Sequence, residues 1–258
     1  MNNNYVTKVV TLICSVLLYG SHVMAADPAD IHTFKVNVTN AMTSFYMYQG
    51  LDADQKYANR IDEAIAVGYA AANRILDHVQ DKTENSDAVQ LTNKWKAFND
   101  LMAENRQDIV TRGYPDIRLV DEMGDVCSAL IGIVDNLKKT ERVNDVTRLA
   151  RALAFRMSDI TSQYTGRGTS NLGQVFVGYQ QQSPAEQAEN FATLLDQLES
   201  IIPQEDALRV SAIRNKWEFL SRSISNYNEN SVPFLVVTYN DSIVDTLHQI
   251  AESYDRRT

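Results

Sequence analysis

Residues 146–164 read VTRLARALAFRMSDITSQY, and this stretch decides the fold. Val146, Leu149, Leu153, Met157, Ile160 and Tyr164 follow one another at intervals of three or four, which puts all of them on one face of an α-helix. Working outward, the same spacing returns on both sides. Val120, Met123, Cys127, Leu130, Val134 and Leu137 form a second stripe, and Val236, Tyr239, Ile243, Leu247, Ile250 and Tyr254 a third. No convincing alternation of period two interrupts them. The run Phe234-Leu235-Val236-Val237 is short enough for a strand, but it flows into the third stripe and reads as helix. The expectation is an all-α fold, an antiparallel helical bundle.

Start signals agree with this. Pro115, Pro184, Pro203 and Pro233 each precede an amphipathic run, where a missing backbone N–H costs nothing. Ser183 with Glu186 has the spacing of a capping box, and Asp52 with Gln55 is a similar signal. Glycine concentrates between Tyr164 and Gly178, and the segment from Tyr164 to Gly173 reads as a helix end followed by a flexible connection.

Two parts of the chain look alike. Asn93-Lys94-Trp95 is repeated as Asn215-Lys216-Trp217, and the apolar register agrees around it: Leu91, Trp95, Phe98 and Met102 align with Ile213, Trp217, Leu220 and Ile224. Each copy then passes a proline, Pro115 or Pro233, into a long striped helix. The pattern predicts two related helical units in tandem, residues 26–140 and 141–258, joined near Lys138-Lys139-Thr140-Glu141. The second unit is expected to begin with an extra helix, from about Val143 to Tyr164. Both tryptophans are expected to be core anchors.

Residues 1–25 read as a secretory signal peptide. Lys8 precedes the apolar run from Val9 to Tyr19, which is short for a bilayer span, and Val23-Met24-Ala25 supplies small residues before a cut after Ala25. The bulk of Ile13 before Cys14 argues against lipid attachment. The expected location is the periplasm, with no membrane span after cleavage. Cys127 is then the only cysteine left, so no internal disulfide forms, and its apolar neighbours mark it as a small buried residue.

A hydrophobic content of 44% is enough for a packed core. The net charge of -9 argues against nucleic acid and anionic lipid as partners, since both demand clustered Lys and Arg. Signatures of catalysis and of metal binding are missing from the pattern. His32, His78 and His248 are far apart, no His-Glu-x-x-His or Cys-x-x-Cys occurs, and no Gly-x-Ser-x-Gly elbow is present. The carboxylates Asp52, Asp54, Asp62 and Glu63, and Asp121, Glu122 and Asp125, lack the pattern of a calcium loop and read as solvated helix faces. No catalytic residue, metal or cofactor is therefore expected.

The arginines are the one grouping with ligand chemistry. Arg148, Arg151 and Arg156 lie on one helix of an otherwise acidic protein, and Arg167 lies in the glycine-rich segment after it. Guanidinium forks match oxyanions, so these four are the candidate ligand contacts. The wording Arg148-Leu149-Ala150-Arg151-Ala152-Leu153-Ala154-Phe155-Arg156-Met157-Ser158 resembles the first periplasmic helix of the helical sensor domains of type IV pilus chemoreceptor-like transducers and nitrate sensors. The resemblance covers about Arg142 to Tyr164. Those transducers also carry flanking membrane helices and a cytoplasmic signalling region, which this sequence does not show. The resemblance thus implies a soluble sensor-like bundle serving a pilus or another envelope apparatus.

The functional expectation is a non-catalytic periplasmic bundle, an accessory or scaffold that binds an envelope protein, with the type IV pilus machinery as the first candidate. The alternative is a soluble periplasmic sensor-like protein that binds a small anion. Tyr46, Tyr48, Tyr227 and Tyr239 are candidate aromatic contacts for a partner.

Overall fold

The computed structural model describes residues 26–79, 86–137, 143–169, 183–226 and 232–255. Among them the chain forms helices only. α1 spans Pro28–Gly50, α2 Gln55–Asp77, α3 Ser86–Arg112 and α4 Ile117–Asn136; α5 spans Asp145–Thr169, α6 Pro184–Ile201, α7 Ala207–Ser225 and α8 Pro233–Asp255. The signal-peptide reading of residues 1–25, the joint at Lys138 to Glu141, Ser170 to Gly173 of the glycine-rich segment, and Tyr227 lie outside the described residues.

The three stripes become the buried faces of α5, α4 and α8. Local start signals explain where helices begin. Ser183 Oγ accepts from the Glu186 N–H at 3.2 Å and Glu186 Oε2 accepts from the Ser183 N–H at 2.7 Å, so the capping box is complete with Pro184 behind it. Asp116 Oδ1 caps α4 by accepting from the Arg118 N–H at 2.9 Å. The cap of α2 is Asp54 rather than Asp52: its Oδ1 accepts from the Lys56 N–H at 2.7 Å. Asp52 and Ala53 instead take left-handed backbone, φ 50° and 63°, in the tight turn that ends α1, so Asp52 is too early to cap. α5 also runs further than the glycines suggest, through Gly166 and Gly168 to Thr169. The reason is tertiary: a Cβ on Gly166 would sit 3.0 Å from the Tyr46 ring of α1, so the glycine makes room for that ring.

Neighbouring helices are antiparallel, because their side-chain bonds join the start of one to the end of the next. Arg74 near the end of α2 donates to Asp30 at the start of α1, and Arg106 of α3 donates to Asp62 of α2, both at 2.6 Å. Gln187 of α6 donates to Gln163 of α5 at 2.6 Å, and Arg209 of α7 donates to Gln249 of α8 at 3.0 Å. Tyr254 of α8 donates to the buried Asp206 that opens α7, at 3.0 Å.

Burial divides the apolar side chains into two cores. One is drawn from α1–α4 and the other from α5–α8. Two residues cross over: Val36 of α1 belongs to the second core, and Val237 of α8 to the first. Each set therefore has four helices. α5, read from sequence as an addition, has a counterpart in α1: Ile31, Phe34, Val38, Ala41 and Phe45 are buried in the same order and spacing as Ala150, Leu153, Met157, Ile160 and Tyr164. α1 and α5 are the principal contact between the sets.

Each tryptophan lies on the third helix of its set. Trp95 is 8% exposed, between Phe34 and Phe98, and it lies over Gly68 of α2, where an added Cβ would come within 3.0 Å of its ring. Trp217 is 2% exposed, with its ring centroid 4.1 Å from that of Phe191 on α6.

Candidate functional site

The polar chemistry of the fold gathers on the seam between the two sets. His32, one turn into α1, meets His248, near the end of α8, with 3.0 Å between their Nε2 atoms. The rings are perpendicular, at 83°, with centroids 5.0 Å apart. Arg151 of α5 adds its charge to both, and Lys35 of α1 acts on His32 as well. Burial, then the facing ring, then these cations hold His32 well below its ordinary value of 6.5. Burial also lowers His248, against the partial opposition of Asp245 and Glu252 on its own helix. Both imidazoles are thus kept neutral. A neutral pair of this geometry stores a single N–H···N bond and exchanges protons below neutral pH.

Further along the seam, Lys35 donates to both carboxylate oxygens of Asp135 on α4, at 2.9 and 2.8 Å, and its Nζ lies 4.2 Å from the centre of the Phe155 ring on α5. Asp159 of α5 is half-buried there, and its carboxyl is raised by desolvation, partly offset by a bond from Gln163 and by Arg156 and Lys35. At the far end of the seam Arg60 of α2 grips Asp241 of α8 with two bonds, at 2.7 and 2.9 Å. Since His32 and His248 mark one end, and Tyr46 and Gly166 the other, α1 and α5 run parallel across the seam.

Three of the arginines predicted to hold an anion each face a different carboxylate. Arg148 donates to Asp145 at 2.8 Å, Arg151 donates to Asp255 at 2.7 Å, and Arg156 sits 3.6 Å from Asp159. Arg167 lies in the last turn of α5, far along the helix from the other three. Only Arg151 belongs to the histidine cluster. Of the tyrosines, Tyr48 is buried and Tyr46 is half-buried against Gly166, whereas half-buried Tyr239 stacks on the exposed Phe219 ring at 5.3 Å.

Cys127 is buried in α4, and burial, with the Asp159 charge, pushes its thiol up to about 12. A thiol that stays protonated is a poor nucleophile. Incubated with iodoacetamide at pH 8, the folded chain is expected to leave Cys127 unmodified, while the same chain in urea reacts fully. Intact mass reads both, and native-state labelling at the rate of a free thiol would place Cys127 in contact with solvent.

A second grouping is apolar. α1, α3, α5 and α7 end where α2, α4, α6 and α8 begin, and this end of the molecule carries Leu51, Val110, Tyr114, Ile117 and Phe234, all exposed. Phe219 lies toward the same end. Tyr114 is 63% exposed and Phe234 58%, and Lys56 of α2 lies 5.4 Å from the Phe234 ring centre.

Neither histidine was selected by sequence reasoning, because 216 positions separate them and each taken alone is an ordinary polar residue beside an apolar stripe. Among the described residues no helix is long and apolar enough to cross a membrane, and no group of three or more His, Cys, Asp or Glu is placed to hold a metal ion. No family model matches the chain, and neither a curated protein nor a solved structure resembles it significantly.

Proposed function

We propose that this protein is an exported, non-catalytic scaffold of two related four-helix units that docks a protein partner of the bacterial envelope, with the type IV pilus apparatus as the first candidate. The observation that carries the reading is the apolar end of the molecule. Exposed aromatic and aliphatic side chains from α3, α4, α7, α8 and the α1–α2 turn lie toward this end. Aromatic residues on a rigid helical frame are the usual anchors of protein interfaces, because they bury much area at little entropic cost. The duplicated stripes and the signal-like leader support the same reading.

The sensor-like alternative asks more of the molecule. A small anion held by Arg148, Arg151 and Arg156 would have to displace Asp145, Asp255 and Asp159, carboxylates already in place. The scaffold reading requires no such exchange.

The test is crosslinking in intact envelopes followed by capture of the tagged chain. The wild type is expected to bring down a component of the pilus apparatus, and the double variant Tyr114→Asp, Phe234→Asp to lose it while keeping its helical circular dichroism. Equal recovery by the double variant, or recovery of no pilus component by either, would overturn the proposal.

A further inference from the structure

His32 and His248 bridge the two units at one end of a seam that the α1–α5 packing and the crossing of Val36 and Val237 also hold, and their geometry makes this contact depend on a proton. At 3.0 Å, head to head, a hydrogen bond needs one proton between the two Nε2 atoms. One ring presents Nε2–H and the other a bare Nε2 lone pair, with its own proton on Nδ1. A first added proton goes to Nδ1 of the donor ring and leaves the bond intact. A second must go to the accepting Nε2, and then two N–H donors face each other with no acceptor between them.

Nearby cations add to the repulsion, and the carboxylates of α8 partly offset it at His248. On α1, Lys35 acts on His32, and on α5, Arg151 acts on both rings. On α8, Asp245 and Glu252 act on His248, and Asp255 is bonded to Arg151. The cations next to His32 also make the pair a poor seat for a metal ion, which would add a further positive charge. We infer that the His32–His248 pair is an acid-labile latch: taking up two protons parts α1 from α8 at this end and loosens one four-helix unit from the other. The far end remains pinned by Arg60 on Asp241 and by the ring contact of Lys56 with Phe234.

The sign follows from linkage. The closed seam holds both imidazoles below 6.5, whereas an opened seam returns them toward that value. Closure is therefore fully favoured above about pH 6.5 and weakens as the pH falls below it. If opening takes up two protons, the opening constant rises about 100-fold per pH unit; one proton gives about tenfold. The latch is independent of which partner the scaffold docks.

Hydrogen–deuterium exchange of the full chain from pH 7 to pH 4.5, corrected for intrinsic rates, tests this. In the wild type, amides in the first half of α1 and the last half of α8 are expected to open with the steeper slope. In His32→Gln the amide can turn either its N–H or its oxygen to His248, so it suits both charge states. That slope is then expected to fall to tenfold per unit or less, and His248→Gln serves as the second variant. Imidazole titration by NMR in the wild type gives a reading that needs no substitution: two coupled steps, both below 6.5. Equal slopes in wild type and both variants, or two independent titrations near 6.5, would overturn the latch.

Discussion

Replacing Trp217 with alanine is expected to lower the unfolding free energy by about 3–5 kcal/mol, the range for a large aromatic side chain removed from a packed core. The indole is 2% exposed and lies tilted over Phe191, with ring centroids 4.1 Å apart. Leu195, Leu220 and Ile213 of the same core are fully buried and held in their own helices, so they cannot close over the gap. Trp217→Phe should recover most of the loss. Trp95→Ala makes the informative comparison. The sequence treats the two tryptophans as equivalent, yet Trp95 is 8% exposed and rests on the bare backbone of Gly68, so part of its ring already borders solvent and the cost should be smaller. Urea unfolding with an unchanged slope measures all three. A loss below about 1 kcal/mol for Trp217→Ala would show that the indole does not anchor the second core.

Val36→Asp should have an effect of similar size and a different form. Val36 is 1% exposed and belongs to the second core although α1 carries it. A carboxylate left in that apolar core costs about 3–5 kcal/mol. The cost falls on the joint between the units, so calorimetry should resolve two transitions in place of one. Val36→Ala removes two methyl groups without a charge, and it should keep a single transition at a lower temperature. A single transition for Val36→Asp within about 2 °C of the wild type would mean that the α1–α5 seam does not couple the two cores.

How much could be read from the residues alone differs from helix to helix. α4 and α8 each turn one face to a core, and α5, though packed on α1, α6 and α8, buries only small residues such as Ala154, Ser158 and Thr161 off its main face, so the large apolar positions of all three fall into a stripe that can be counted. In α1 the stripe of Ile31, Phe34, Val38, Ala41 and Phe45 is blurred by further apolar residues beside it. The helix packs on α2, α4 and α5 at once, and Val36, Val38, Ala41, Met42, Phe45 and Met47 are buried around most of its circumference. A helix buried on several sides loses the periodic signal, which is why α5 reads as an addition when only α1 is missing from the comparison. The cap of α2 is a smaller case. Asp52 and Asp54 both satisfy a local rule, and the left-handed turn that Asp52 and Ala53 adopt to end α1 selects between them.

The candidate sites divide in the same way. Arginines on one helix are visible as a group, but their partners are not, since Asp255 reaches Arg151 from the end of another helix. The histidines are invisible as a pair for the same reason. What the sequence by itself determined is local: the period of the apolar residues, the capping box at Ser183, the burial of Cys127 and of both tryptophans. These depend on neighbours within a turn or two of helix, where spacing dictates which side chains share a face. Only the tertiary structure decided that α1 and α5 run parallel, that Val36 and Val237 each cross into the other core, and that His32 meets His248. Those outcomes depend on how two finished surfaces fit together, and packing of that kind leaves no period in the chain that forms it.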